Sequence, residues 1–299
     1  MNRERPDPGP GGGAAEPCEV VLADGQTLPL VIASPHSGHG YLPEFLAQSP
    51  LDPRALRKSE DSYVDELFAA GPALGAPLLR AHFPRIYVDP NREPFELDPR
   101  MFEDKVPDFV NASSPRVAAG LGTIARLAAG GEDIYREKLR FAEALQRIDS
   151  CYRPYHATLR RLVDATVVKF GFCILLDCHS MPSVGGPTES DAGRPRADFV
   201  LGDCFGESCA AAVTAGAERA LVALGYSVRR NAPYSGGFTT RHYGRPRQAV
   251  HALQVEVNRG LYMDQDSFAK AAGFSALAAR LSDFVAEMAG IDAPALMGS

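Results

Sequence analysis

Short apolar runs bounded by turn residues alternate along the chain with longer amphipathic stretches. Runs of this kind are typical of buried strands. The predicted strands are Leu28–Ala33, Pro77–His82, Arg85–Val88, Phe172–Asp177, Asp198–Gly202, Tyr226–Arg230 and Val250–Val257. Because helical patterns lie between several of these runs, the sequence predicts an α/β sandwich around a largely parallel sheet.

Three stretches have the spacing of amphipathic helices. Apolar residues recur every three to four positions from Asp133 through residue 162, which predicts one long helix. Pro154 lies inside this stretch and predicts a kink or a division into two helices. The alanine-rich segments Ser208–Leu224 and Ser267–Met288 predict two further helices.

Two segments do not follow the alternation of strands and helices. Residues 90–134 are polar and rich in Pro and Gly, and a loop of this length in a compact domain tends to be functional. Residues 1–17 carry charges and helix breakers without an apolar stretch, which predicts a disordered lead rather than a secretory signal. We see no repeat or linker in the remainder and expect a single α/β domain over residues 18–299.

Composition narrows the classes of partner. The 299 residues carry a formal net charge of −6, which disfavours nucleic acid as a ligand. No apolar run approaches the roughly 20 residues of a membrane span, so no membrane partner is expected. The six cysteines form no CxxC pair, which is typical of reduced thiols in a cytoplasmic protein.

Residues with metal-binding or catalytic chemistry follow or end three predicted strands. SPHSG places His36 after the first strand, DCHS places His179 after the fourth, and Glu256 lies between two valines in the last. Open α/β sheets bind ligands at the carboxyl ends of their strands. Catalytic zinc takes three His, Asp or Glu ligands and leaves a position for water, and a nearby Glu suits a general base. The pattern therefore favours a zinc site, although each histidine taken alone could equally be a hydrogen-bonded turn residue.

The spacing does not fix an acidic third ligand. KSEDSYVDELF predicts a helix with Ser59 as N-cap, in which Glu60 and Asp61 would complement the helix dipole. Asp61 and Asp65 share a face of that helix. Asp61 lies at the edge of its apolar arc and could point toward His36.

Two motifs suggest binding of a carboxylate substrate. Asn91 and Arg92 follow the predicted strand Arg85–Val88, and an Arg fork beside an Asn amide suits a carboxylate. The alternative is a turn with solvated side chains. Arg241 lies in the Gly-rich segment NAPYSGGFTTRHYG, where it could line a pocket.

Seven ordered blocks between about residues 28 and 265 form one pattern: SPHSG, EDSYVDELF, RIYVDPNREP, DCHSMPS, ADFVLGD, NAPYSGGFTTRHYG and LQVEVNRGLYMD. In this order they resemble the N-formylglutamate amidohydrolases. That family is similar to the zinc carboxypeptidases and aspartoacylases. The resemblance implies a three-layer α/β sandwich with a mixed, largely parallel central sheet. It also implies one zinc ion per chain, or another divalent metal, at the strand ends.

The resemblance implies a role for each motif. His36 and His179 would bind zinc together with an acidic residue, and Glu256 would activate water. The implied substrate-binding residues are Asn91, Arg92, Arg259 and Arg241.

One position departs from the carboxypeptidase pattern. There the acidic ligand follows the first histidine by three residues, whereas this chain has His39 at that position. We therefore expect the acidic ligand to come from the ED…VD block and select Asp61, with Asp65 and Glu60 as reserves. His39 is left out of the predicted ligand set.

The function implied by the resemblance is removal of the formyl group from N-formyl-L-glutamate, a small acidic N-acyl amino acid, in cytoplasmic histidine catabolism. A deacylase or carboxypeptidase of the same fold acting on other N-acyl amino acids or small peptides is an alternative. A ligand-binding protein that lost catalysis is another. Loss of His36, His179 or Glu256 would be expected in such a protein, and all three are present.

Overall fold

The computed structural model describes residues 16–187, 189–291 and 296. The lead predicted for residues 1–17 therefore lies almost wholly outside the described residues. Within the described residues the chain divides into two compact units. One unit comprises residues 16–19, 35–62 and 80–158, and the other comprises 20–34, 63–79 and the described residues from 159 onward. The single domain over residues 18–299 stays a prediction.

Seven strands form one mixed sheet. They are β1 (Cys18–Val21), β2 (Leu30–Ser34), β3 (Leu78–Ala81), β4 (Cys173–Met181), β5 (Phe199–Gly202), β6 (Val228–Arg230) and β7 (Val250–Asn258). Their order is β1-β3-β2-β4-β7-β5-β6. The pairs β2–β4, β4–β7 and β5–β6 are parallel, and β5–β7 is antiparallel. The predicted α/β class with a mixed sheet is confirmed.

The central strands β4 and β7 are buried along their whole length. Strands covered on both faces have continuous apolar sequences rather than alternating ones, which is why both runs could be identified. β4 nevertheless continues to Met181, four residues beyond the predicted end at Asp177. Asp177, His179 and Ser180 therefore lie within the strand rather than after it.

The predicted strand Arg85–Val88 is wrong. The segment is a turn that follows Pro84, in which the Tyr87 N–H donates to the Pro84 carbonyl at 2.9 Å. Ile86 and Val88 are buried from this turn, so their apolar pattern reflects burial without a strand. The short strand β1 was not predicted.

Ten α-helices accompany the sheet in the described part of the chain. They are α1 (Pro43–Gln48), α2 (Pro53–Arg57), α3 (Val64–Leu67), α4 (Gly71–Leu74), α5 (Pro115–Ala118), α6 (Phe141–Arg147), α7 (Arg153–Phe170), α8 (Ala211–Ala223), α9 (Phe238–Tyr243) and α10 (Phe274–Ala289). The two alanine-rich predictions correspond to α8 and α10. Among these helices, none has the length and apolar character that crossing a membrane requires.

The long amphipathic stretch is interrupted, as Pro154 predicts. The helix begins at Phe141 rather than near Asp133, and the Glu143 carboxylate accepts from the Arg140 N–H at its start. A π-helical segment, Ile148–Tyr152, joins α6 to α7 directly before Pro154. Proline removes a helical N–H and crowds the preceding turn, which explains the altered hydrogen bonding at this point.

Each unit has its own apolar core. In the first, Tyr41, Phe45 and Leu56 pack with other buried apolar residues. In the second, the sheet packs against α8 and α10 through side chains such as Leu253 and Phe284. Full burial of one large apolar side chain contributes about 1.5–3 kcal/mol to the free energy of folding. These cores therefore stabilise the elements that carry the polar side chains.

Candidate metal centre and active site

His36 lies in a tight turn two residues after the end of β2. A side chain at Gly38 would place its Cβ 2.2 Å from the Phe83 carbonyl oxygen. Gly40 donates its backbone N–H to the His82 carbonyl at 2.9 Å. The turn is therefore packed directly against the backbone of residues 82–83, and a Cβ at Gly38 would require the backbone to move.

Both ring nitrogens of the buried His36 face carboxylates. Nε2 lies 2.7 Å from Asp89 Oδ1, and Nδ1 lies 3.2 Å from Asp61 Oδ2. Burial raises the pKa of Asp89, but the charges of Arg85, His36 and Arg92 outweigh it and hold that pKa well below its usual range. Since an ionised Asp89 only accepts hydrogen bonds, Nε2 is the donor toward Asp89, and Nδ1 is the ring nitrogen that faces Asp61.

Asp61 precedes a short helix instead of lying inside one. Its backbone N–H donates to the His36 carbonyl at 3.0 Å. The predicted N-cap at Ser59 is wrong, because α3 begins only at Val64, after Tyr63 adopts a left-handed conformation with φ of 68°. Because the helix begins late, Asp61 lies in an irregular segment that is hydrogen-bonded to the His36 turn.

The two reserve acids have other surroundings. Glu60 accepts hydrogen bonds from the Tyr41 hydroxyl at 2.7 Å and the Ser62 hydroxyl at 2.8 Å, and it pairs with Arg57. Asp65 lies within α3 and is buried.

His179 and Glu256 are direct neighbours on adjacent parallel strands. The register of β4 with β7 pairs these two residues. Asp177 lies on the same face of β4 as His179, with 3.1 Å between Asp177 Oδ1 and His179 Nε2. The sheet thus places the proposed base beside one of the predicted ligands.

Three of the predicted residues form a group that could hold a metal ion. His36, Asp61 and His179 each offer a ligand atom, these atoms all lie within 4.8 Å of one another, and all three side chains are buried. The group contains the selected acid and neither of the reserves Asp65 and Glu60.

Glu256 is buried in β7 and receives a hydrogen bond from Gln254. The distance from Gln254 Nε2 to Glu256 Oε1 is 2.7 Å. The negative charge of Glu256 also contributes to the raised pKa of Tyr234, behind burial and a hydrogen bond to Glu189.

The predicted carboxylate clamp is mostly engaged with backbone carbonyls. Arg92 donates from Nε to Leu121 and from Nη1 to Asn91, each at 2.9 Å. Burial lowers the pKa of Arg92 to about 10.

The Asn91 N–H donates to Asp89 Oδ1 at 2.8 Å. Asp89 therefore links the His36 turn to the VDPNR segment, a connection that was not predicted.

The other two predicted arginines have different settings. Arg259 is half-buried, and its Nε donates to the Ser180 hydroxyl at 3.0 Å, one residue from His179. Arg241 is exposed on α9 and donates to the Gly236 carbonyl at 3.3 Å.

Two residues of this region were missed at the sequence level. Asp89 was not predicted as a site residue, because its bond to His36 spans 53 positions of the chain. Gln254 was not considered, although the period of two in a strand places it on the same face as Glu256 and could have identified it.

Comparisons with known proteins show the family of the chain. The family model of N-formylglutamate amidohydrolase matches residues 28–263. The chain is similar to an N-formylglutamate deformylase of Pseudomonas aeruginosa, with 32% identity over 83% of this chain and 87% of the relative. A relative of the same description from Pseudomonas putida is 31% identical over 80% of this chain and 83% of its own length.

Solved structures give the same result. The crystal structure of an N-formylglutamate amidohydrolase from Ralstonia eutropha has a TM-score of 0.84 and 37% identity, covering 92% of this chain and 98% of that one. A gene product of Agrobacterium tumefaciens, with a TM-score of 0.66 and 17% identity, shares the fold. The likeness to zinc carboxypeptidases stays a prediction. The chain belongs to the N-formylglutamate amidohydrolase family.

Proposed function

We propose that this protein is a zinc-dependent amidohydrolase that converts N-formyl-L-glutamate and water to formate and L-glutamate. The observation that carries the proposal is the buried group of His36, Asp61 and His179 in a chain of this family. The two Pseudomonas relatives are described as N-formylglutamate deformylases, which supports the substrate. We further propose that the enzyme is a single domain over residues 18–299 that acts in histidine catabolism in the cytoplasm.

The donor set fits zinc. Two imidazoles and one carboxylate are the ligands of many catalytic zinc sites, which leave one position open. With ligand distances near 2.0–2.1 Å, two ligands of a tetrahedral ion lie roughly 3.3 Å apart, and His36 Nδ1 lies 3.2 Å from Asp61 Oδ2. Asp89 on the opposite nitrogen is the kind of carboxylate partner that orients a ligating histidine.

Zinc, when bound, supplies a Lewis acid that polarises the formyl carbonyl and makes water nucleophilic near neutral pH. Glu256 is proposed to accept the proton of the attacking water and to deliver it to the leaving amine nitrogen as the C–N bond breaks. Its position beside His179 in the β4–β7 register supports this role. The reaction balances because water supplies hydroxyl to formate and hydrogen to glutamate.

Recognition of the substrate is proposed to depend on cationic and amide side chains. Asn91 and Arg92 would bind a substrate carboxylate, and Arg259 is a second candidate for that task. Arg241 or Arg92 would stabilise the negative charge that develops on the formyl oxygen. The hydrogen bonds from Arg92 to two carbonyls hold its guanidinium in one orientation, which favours a fixed clamp.

The test combines metal analysis with a substrate panel. Purified wild type is expected to contain about one zinc per chain, and His179→Ala to lose it. Formate release should be fastest from N-formylglutamate when compared with N-formylaspartate, N-formylmethionine and, for acyl release, N-acetylglutamate. Faster turnover of another panel member would show that N-formylglutamate is not the preferred substrate. It would favour a deacylase of the same fold that acts on other N-acyl amino acids. Wild type without stoichiometric metal would contradict the mechanism.

Glu256→Gln gives the matched catalytic control, because the amide has the same shape and cannot accept the proton. This variant is expected to retain zinc and lose at least about 100-fold in kcat. Retained turnover would exclude Glu256 as the base.

A further inference from the structure

Gln254 and Glu256 lie two residues apart on β7 and therefore on the same face of the strand. Both side chains are buried. Gln254 Nε2 lies 2.7 Å from Glu256 Oε1. One oxygen of the proposed base is thus held by a neighbour of its own strand.

The orientation of the Gln254 amide is determined by its other partners. Its Oε1 lies 2.7 Å from the backbone nitrogen of Gly237 and 3.5 Å from the Thr240 hydroxyl. A backbone N–H can only donate, so the amide oxygen must face Gly237. The NH₂ group then faces Glu256, whose Oε1 accepts the hydrogen bond.

The far end of this link is anchored in a close-packed turn. Gly236 has φ of 124°, and a Cβ there would lie 2.7 Å from Cys204 Sγ. The Thr240 hydroxyl also lies 3.4 Å from Asp177 Oδ2, and Asp177 is the register partner of Gln254 on β4. The Gln254 side chain therefore extends from β7 to the 236–240 segment, which it contacts through Gly237 and Thr240.

We propose that Gln254 is a positioning residue for Glu256. Its oxygen is fixed by Gly237, and its NH₂ group holds the Glu256 carboxylate in the orientation needed to accept a proton. The inference rests on the proposed function for the role of Glu256. A general base works only when its oxygen is aligned with the proton it accepts, and misplacement by about 1 Å can cost 100-fold in rate.

The first test replaces the amide with an apolar side chain of similar length. Gln254→Met is expected to lower kcat by about 10- to 100-fold, with a smaller change in KM and unchanged zinc content. Gln248→Met, at an exposed position, is the matched control and should behave as wild type. Wild-type kcat in Gln254→Met would overturn the proposal.

The second test separates positioning from bracing of the turn. Gln254→Glu keeps an oxygen for the Gly237 N–H and replaces the donor that faces Glu256. A lower kcat near neutral pH with a smaller change in KM is expected, because the introduced carboxylate repels Glu256 instead of donating to it. Glu256 contacts Gln254 directly, and Asp177 is the register partner of Gln254 on β4. If Gln254 only braces the turn, the variant would keep the wild-type kcat, and the proposal would be wrong.

Crystal structures of wild type and Gln254→Met test whether Gln254 positions the Glu256 carboxylate, and they need no activity measurement. The Glu256 carboxylate is expected to leave its wild-type position in the variant. An unchanged Glu256 rotamer would overturn the positioning role. Absence of deformylase activity in wild type would instead remove the proposed function and leave this structural comparison valid.

Discussion

His36 Nε2 lies 2.7 Å from Asp89 Oδ1, and this contact determines which nitrogen of the imidazole is available to a metal. Arg85 and Arg92 help to keep Asp89 ionised, which is why its pKa is low despite burial. In a neutral imidazole, a proton donated from Nε2 to Asp89 would leave the lone pair on Nδ1, the atom next to Asp61. In the proposed metal site, Asp89 would therefore orient His36 without being a ligand itself.

Asp89→Asn should weaken metal binding. The amide keeps the shape of the carboxylate but loses the charge that favours a proton on Nε2, and partners of this kind contribute about 10- to 100-fold to metal affinity or activity. Competition with a zinc chelator measures the affinity. Asp133→Asn, an exposed acid, is the control. Equal affinity in Asp89→Asn and wild type would show that Asp89 does not orient His36.

The pattern of strands was predictable because it depends on local burial. The apolar residues of β4 and β7 predicted both strands and placed Glu256 within the second, whereas His179 was expected after β4 and lies within it. The Asp89–His36 contact was not predictable, because it joins positions 53 residues apart through a turn that resembled a strand. The helix start at Ser59 failed for a different reason, since the left-handed backbone of Tyr63 has no signature in a tyrosine.

Asp61 differs from the other two candidate acids in its hydrogen-bond partners, which the sequence does not reveal. Sequence spacing left Glu60, Asp61 and Asp65 as candidates, and the resemblance gave no residue at the usual position. In the structure Glu60 is hydrogen-bonded to Tyr41, whereas the Asp61 backbone is bonded to His36. Such long-range partners separate three similar acids, and no local pattern records them.

Arg92→Lys should raise KM more than it lowers kcat. Lysine keeps the positive charge but lacks the planar fork that binds a carboxylate at two points, so we expect KM for N-formylglutamate to rise about tenfold. Steady-state kinetics give the two constants. Arg140→Lys, on a 75% exposed side chain, is the control.

An alternative role for Arg92 would give a different result. If its bonds to the carbonyls of Leu121 and Asn91 serve only to hold the loop, Arg92→Lys would lower the melting temperature and leave KM unchanged. That outcome would remove Arg92 from the substrate site.

Gly38→Ala should disturb both stability and the metal centre. The added Cβ would meet the Phe83 carbonyl oxygen at 2.2 Å, so the backbone must move, at a cost of about 1–3 kcal/mol in the free energy of unfolding. His36 lies two residues earlier and would move with it, which should weaken zinc binding. Gly40→Ala is the matched control, since its Cβ would lie 3.0 Å from the His82 oxygen. Equal effects of the two substitutions would contradict this account.

Asp98 should make the free energy of unfolding depend on pH in the acid range. Burial raises the pKa of Asp98, but hydrogen bonds from Arg100 and the neighbouring Arg126 outweigh it, and the net pKa is lowered. A carboxyl group with a lowered folded-state pKa stabilises the protein above its unfolded pKa of about 3.9 and loses that contribution as the pH falls through the folded value.

Asp98→Asn should therefore be less stable than wild type near neutral pH, by about 1–3 kcal/mol. The difference should shrink as the pH falls below about 4, which urea unfolding across the range measures. Asp108→Asn, at a 95% exposed side chain, should show no such trend. A difference between Asp98→Asn and wild type that stays constant with pH would mean that the carboxylate charge is not the source of the stabilisation.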